Sequence, residues 1–216
     1  LVTLLYFLLP HRLRWLMLLA ASCIFYMAFK AIYILILLFT IVIDYVAGLL
    51  IERAQGPARS AWLACSIVAN VGVLVVFKYY GFIHENVVFL CQHLGWRDPL
   101  PALQILLPIG LSFHTFQAMA YTIEIYRGHQ KAVRHFGIYA LYVMFYPQLV
   151  AGPIERPQNL IHQFVEPHRF DAARVSAGLT RMLWGFFKKV VIADRLAVLV
   201  NQVYNHPADH SGLALV

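Results

Sequence analysis

Residues Phe145–Pro157 read FYPQLVAGPIERP and close an apolar run, Phe136–Ile154, that holds no Asp, Glu, Lys or Arg. The run is long enough to enter a bilayer, yet Pro147, Gly152 and Pro153 interrupt it and Glu155, Arg156 and Pro157 end it. Proline removes a backbone donor and breaks the helical ladder, and glycine permits non-helical backbone. Such backbone persists at membrane depth only where protein or a water-filled cavity satisfies the freed N–H and C=O groups. These residues allow two readings. In one the stretch lines a cavity, with Gln148 and Arg156 as polar groups beside the Gly152–Pro153 break. In the other it is a helix that ends at the interface, with Glu155 and Arg156 in water.

The rest of the chain supplies the setting. It is 61% hydrophobic and 12% charged, about half the charged share of an average soluble domain. Several apolar runs approach the length of the hydrocarbon core, and no alternating strand pattern of a barrel occurs. The expected fold is therefore all-α: a polytopic transmembrane helix bundle with broken or re-entrant helices, forming a single membrane domain over 1–216. Leu1–Leu9 looks like the tail of a span whose start is missing, so the chain is expected to be truncated at both ends. The net charge of +7 suits anionic headgroups or an anionic substrate, and no nucleic-acid-binding pattern is present.

Leu13–Phe29 follows a basic turn at Pro10–Arg12, with Arg14 placed to snorkel. Ala31–Ile51 is the cleanest span and carries one charge, Asp44. An intramembrane carboxylate is a functional suspect unless it lies near the interface or pairs with a neighbouring helix. Glu52–Ser60 reads as a polar loop, Ala61–Phe77 as another span, and Phe82–Leu94 as an amphipathic interfacial helix. Cys23, Cys65 and Cys91 are far apart and form no CxxC pair, so each reads as a small buried hydrophobe.

Leu103–Ile123 is a second interrupted run. Pro108 and Gly110 break it, and Ser112, His114, Thr115 and Gln117 follow closely. Polar side chains there are costly unless they face the protein interior. His114 is a candidate for proton transfer or for a hydrogen-bonded structural role. His206 and His210 have i,i+4 spacing, but Pro207 and Asp209 argue for a loop and no third ligand is evident, so no metal is expected.

Asp171 is placed to cap a long helical pattern reaching Tyr204. Within it Arg174, Arg181, Lys188 and Arg195 recur every seven residues, two helical turns apart, and so share one face. Trp184 lies within cation–π range of Arg181 or Lys188. The stripe either lies along the interface on lipid headgroups or borders a mouth where Lys188 meets donor phosphates.

Three segments in this order resemble the membrane-bound O-acyltransferase family, in particular its bacterial alginate-acetylating branch. They are LPIGLSFHTFQAMAYTIEIYRG (Leu107–Gly128), FYPQLVAGPIERPQNLIHQF (Phe145–Phe164) and GFFKKVVIADRLA (Gly185–Ala197). Glu124 departs from an expected Asp, and His114 occupies a position that is usually aromatic and variable. The resemblance implies a helix bundle around a tunnel, multi-pass in the inner membrane. It implies transfer of an acetyl group from cytoplasmic acetyl-CoA, or a thioester derived from it, to hydroxyls of an exported polysaccharide with export-complex partners, and no bound cofactor. Ser112, His114, Gln117, Gln148, Gly152, Pro153, Arg156 and Lys188 are the tunnel and substrate candidates. The family's catalytic histidine, in a Trp-Arg-Arg-Trp-His-like segment, matches no residue of this sequence. The chain thus reads as the N-terminal part of an O-acyltransferase with the catalytic C-terminal part absent, and none is assigned. A transporter or export-complex subunit is the rival reading, because broken helices with polar residues at mid-depth also mark transporters.

Overall fold

A computed structural model describes residues 1–95, 108, 110–150 and 152–205, and these residues contain helices and loops but no strand. The chain resolves into two compact units, Leu1–Pro167 and His168–Val216. The opening of the second interrupted run, 103–107, and the histidines His206 and His210 lie outside the described residues. Among the described residues no group of three His, Cys, Asp or Glu side chains is placed to hold a metal.

In the first unit α1 (Val2–Leu8) and α2 (His11–Lys30) meet at Pro10. Arg14 Nε donates to the Leu9 carbonyl at 3.1 Å, and its guanidinium lies 4.7 Å from the Tyr6 ring centre. Lys30 is extended (φ −159°, ψ 108°), so the chain turns before α3 (Ile34–Arg53). Each of α2 and α3 has 20 residues, about 30 Å of helix and so about one hydrocarbon thickness.

The sequence places a loop over Glu52–Ser60, but the loop is shorter. Gly56 takes φ 58° and Pro57 opens α4 (Pro57–Leu74), because a proline's missing N–H costs nothing in a first turn. Phe82–Leu94 is not a separate helix either. A π-helical segment, Val75–Tyr79, carries α4 directly into α5 (Tyr80–Leu94). Two helical stretches, His11–Arg53 and Pro57–Leu94, are long and apolar enough to cross a membrane.

The core forms where α3 and α4 meet α6 (Leu111–Arg127) and α7 (Phe136–Met144). Leu37, Ile41, Asp44, Ala47, Gly48 and Ile51 recur at helical spacing and make the buried face of α3. Its outer face exposes Leu35, Phe39, Val42 and Val46. A polar interior contact beneath an apolar exterior reverses the soluble pattern and suits lipid. At Gly48 a Cβ would lie 2.8 Å from Tyr121 Cε1, so the missing side chain is what lets α3 and α6 approach.

The short α7 is apolar all round and buried from Ile138 to Met144, as expected of a helix enclosed by others. Nine residues give about 13 Å, less than half a span. α8 (Tyr146–Leu149) and α9 (Pro157–Val165) come next in the chain. The loop between α6 and α7 is tied down from α3. Glu52 accepts from the Ala132 N–H at 3.1 Å and pairs with Arg134, while the Tyr45 hydroxyl donates to the Arg134 carbonyl at 2.6 Å.

In the second unit Asp171 caps α10 (Ala172–Phe186) by accepting from the Ala173 and Arg174 N–H groups. A π-helical segment, Phe187–Ala193, leads into α11 (Asp194–Asn205). This corrects the four-residue basic stripe. An i→i+5 turn takes in an extra residue and rotates the helix beyond it, so Arg195 leaves the line of Arg174, Arg181 and Lys188. Lys189 pairs instead with Asp194, five residues on.

Candidate functional site

Both interrupted runs break where sequence chemistry requires, and the two breaks meet. Pro147 has no N–H to give the Val143 carbonyl, so α7 ends at Met144 and Phe145 turns out of the helix (ψ 110°). In the other run Gly110 takes φ 75° and starts α6. A Cβ on Gly110 would collide with the Leu149 carbonyl oxygen and would lie 3.3 Å from Val150 Cα. Only glycine meets both the backbone angle and the contact.

Two of the backbone groups freed where α7 ends are satisfied by side chains. Gln117 Nε2 donates to the Tyr142 carbonyl at 2.6 Å, and the Tyr146 N–H donates to Ser22 Oγ at 3.2 Å. The Tyr142 hydroxyl donates to the Glu155 carbonyl at 2.9 Å and so holds the strand of chain that leaves the break. Gly152 N–H donates to the Gln148 carbonyl at 2.9 Å, and a side chain at Gly152 would run into Gln148 Cα.

The candidates named from the sequence divide accordingly. His114, Gln117 and Tyr121 share one face of α6 by i, i+3 and i+7 spacing, and Gly110 caps the turn before His114. Gly110, Gln117 and Tyr121 touch α7 and α8. His114 is 2% exposed, and among the described residues neither ring nitrogen makes a well-formed hydrogen bond. Gln148 is half-buried, and its Oε1 is shielded and unpartnered. Gln117 is a cap for the broken helix. Thr115 bonds only within its own turn, to the Leu111 carbonyl at 2.7 Å. Ser112, in the first turn of α6, is half-buried and lies about 200° around the helix from His114. Gly152 is half-buried, and Pro153 and Arg156 are exposed at the edge of the break. Lys188 belongs to the second unit, 5.4 Å from the Trp184 ring centre.

Glu124 lies in the last turn of α6, about 20 Å along the helix from Gly110. Gln158 Nε2 donates to its carboxylate at 2.6 Å, His129 lies at 3.0 Å and Arg127 at 3.9 Å. Partial burial pushes this carboxyl up, but the bonds from Gln158 and His129 and the charges of His129 and Arg127 outweigh it and leave it below the usual glutamate value.

Sequence reasoning missed Ser22, Tyr142, Ser66 and Asn70. Ser66 and Asn70 hold Asp44 by hydrogen bonds from α4, so Asp44 pairs with a neighbouring helix. Two polar residues one turn apart in an uncharged run, as Ser66 and Asn70 are, carry the signal that would have found them.

No family model and no solved structure matches the chain. It is similar to a probable alginate O-acetylase of Azotobacter vinelandii, 36% identical over 93% of this chain and 40% of that protein. A probable alginate O-acetylase of Pseudomonas aeruginosa is 37% identical over 93% of this chain and 38% of its own length. A peptidoglycan O-acetyltransferase of Helicobacter pylori is 32% identical over 85% and 38%. The chain spans about two fifths of the length of the curated relatives it matches. By sequence, and by the motifs that form the two breaks, it belongs to the membrane-bound O-acyltransferase family, with the alginate and peptidoglycan O-acetylases.

Proposed function

We propose that the intact protein is a multi-pass inner-membrane O-acetyltransferase that moves an acetyl group from a cytoplasmic thioester, acetyl-CoA or a derivative, to hydroxyls of an exported polysaccharide. The relatives named above act on alginate and on peptidoglycan, both glycans outside the cytoplasm, which supports a glycan acceptor and export-complex partners. In the reaction the acceptor oxygen bonds to the acetyl carbon, the carbon–sulfur bond breaks, and the hydroxyl proton ends on the released thiol. Such a step needs a base and stabilisation of the oxyanion, with water kept from the thioester.

The observation that carries this reading is the meeting of the two breaks at Gly110 and Leu149, with Gln148 Oε1 and both His114 nitrogens lacking partners among the described residues. Apolar helices enclose a junction whose polar atoms are not all used up by the fold, which suits a path for a small acyl group. No residue of the junction is assigned as the base. Arg156, exposed at the edge of the break, supplies a positive charge for an anionic donor. The test is ester-linked acetate on exported polysaccharide in a strain lacking the intact protein and complemented with it. Restoration by the wild type supports the reading; export restored without acetate would favour the transport alternative.

A further inference from the structure

Asp44 is a buried charge without a counter-charge. Asp44, Ser66 and Asn70 are fully buried between α3 and α4, and Thr122 of α6, also fully buried, closes the group. Ser66 Oγ donates to Asp44 Oδ1 at 2.6 Å. Asn70 Nδ2 reaches Oδ1 at 2.9 Å and Oδ2 at 2.8 Å, and also the Ser66 carbonyl at 2.9 Å. That last bond fixes the amide, because a carbonyl only accepts. Asn70 therefore presents N–H to both carboxylate oxygens of Asp44. Ser66 Oγ also lies 3.0 Å from Thr122 Oγ1, whose one proton is directed at the Met119 carbonyl at 3.1 Å.

No Lys, Arg or His among the described residues pairs with Asp44. Neutral donors steady a carboxylate but do not cancel its charge, and a buried charge is costly unless paired. The hydroxyl of Tyr139, a fully buried residue of α7, which packs on α3, is shielded and without a partner among the described residues. Among the described residues the side-chain hydrogen bonds to the Asp44 carboxylate come from the Ser66 hydroxyl and the Asn70 amide N–H.

We propose that this cluster is a binding site for one monovalent cation, held on Asp44. The candidate ligands are carboxylate and hydroxyl oxygens, donors that hard cations take, and a single carboxylate balances one positive charge. That charge is a proton on the carboxylate or an alkali-metal ion; both neutralise Asp44, and the experiment separates them. The site is independent of the acyl-transfer reading.

The test uses intact protein in nanodiscs of neutral lipid. Thermal unfolding is followed in sodium, potassium and choline chloride at equal ionic strength, and the infrared carboxyl band at neutral pH is compared between wild type and Asp44→Asn. A higher Tm in an alkali chloride than in choline, absent from Asp44→Asn, identifies an alkali ion. A salt-independent Tm with a protonated-carboxyl band that Asp44→Asn removes identifies a proton. A salt-independent Tm without that band overturns the proposal. Because Asp44→Asn sets two amides against each other and risks misfolding, Ser66→Ala serves as the second variant. It keeps the carboxylate and should shift the salt or pH midpoint by about tenfold; an unmoved midpoint would also overturn the proposal.

Discussion

Gly110 of α6 packs against the carbonyl of Leu149, so that the break in one apolar run rests on the break in the other. Gly110→Ala must both hold φ 75° with a side chain and displace backbone. A loss of about 2–4 kcal/mol is expected, read as unfolding of purified protein in detergent. The control is Gly72→Ala in α4, where a Cβ meets nothing within 4 Å and a gain of about 0.5–1 kcal/mol is expected from helix propensity. Equal behaviour of the two variants would show that the junction is not closely packed.

Gln117 and Ser22 satisfy backbone groups freed where α7 ends. Gln117→Ala leaves the Tyr142 carbonyl buried and unpaired, and Ser22→Ala does the same to the Tyr146 N–H. Each should cost about 1–3 kcal/mol, seen as a lower unfolding midpoint. A midpoint unchanged in both would mean that water already reaches the break.

His114 makes the opposite case. His114→Phe removes two buried nitrogens that have no partners and keeps an aromatic ring of similar size. It should stabilise the protein by about 1–3 kcal/mol. A lower Tm would show that the imidazole is held by a hydrogen bond, to water or to a ligand.

Glu124 gives a pH dependence of definite sign. Its folded value lies below the ordinary 4.5, so its contribution to stability is fully present above that value and is lost as pH falls through the folded value. The difference in Tm between wild type and Glu124→Gln should be constant at neutral pH and shrink in acid below 4.5. A difference that grew on acidification would reverse the assignment.

Much of this was legible from residues one at a time. The breaks at Pro147 and Gly110, the Asp171 cap and the Lys188–Trp184 contact all follow from local rules of backbone and spacing. The illegible part is tertiary. Nothing near Gly110 in sequence announces Leu149, and nothing near Asp44 announces Asn70, because such contacts depend on which helix faces meet. The two π-helical segments also leave no periodic mark, which is why heptad spacing puts Arg195 on a face it does not share.

The central claim is that the junction of the two breaks carries acyl transfer, and Gln148 tests it most directly. Its side chain makes no hydrogen bond within the described residues and its Oε1 is shielded, so the fold does not depend on that oxygen. The measurement is ester-linked acetate on exported polysaccharide per unit of intact protein in the membrane, for wild type and Gln148→Leu. The account predicts acetate lower by about tenfold or more at unchanged abundance and unchanged or higher Tm. Acetate at the wild-type level, or acetate and abundance falling together, would contradict it.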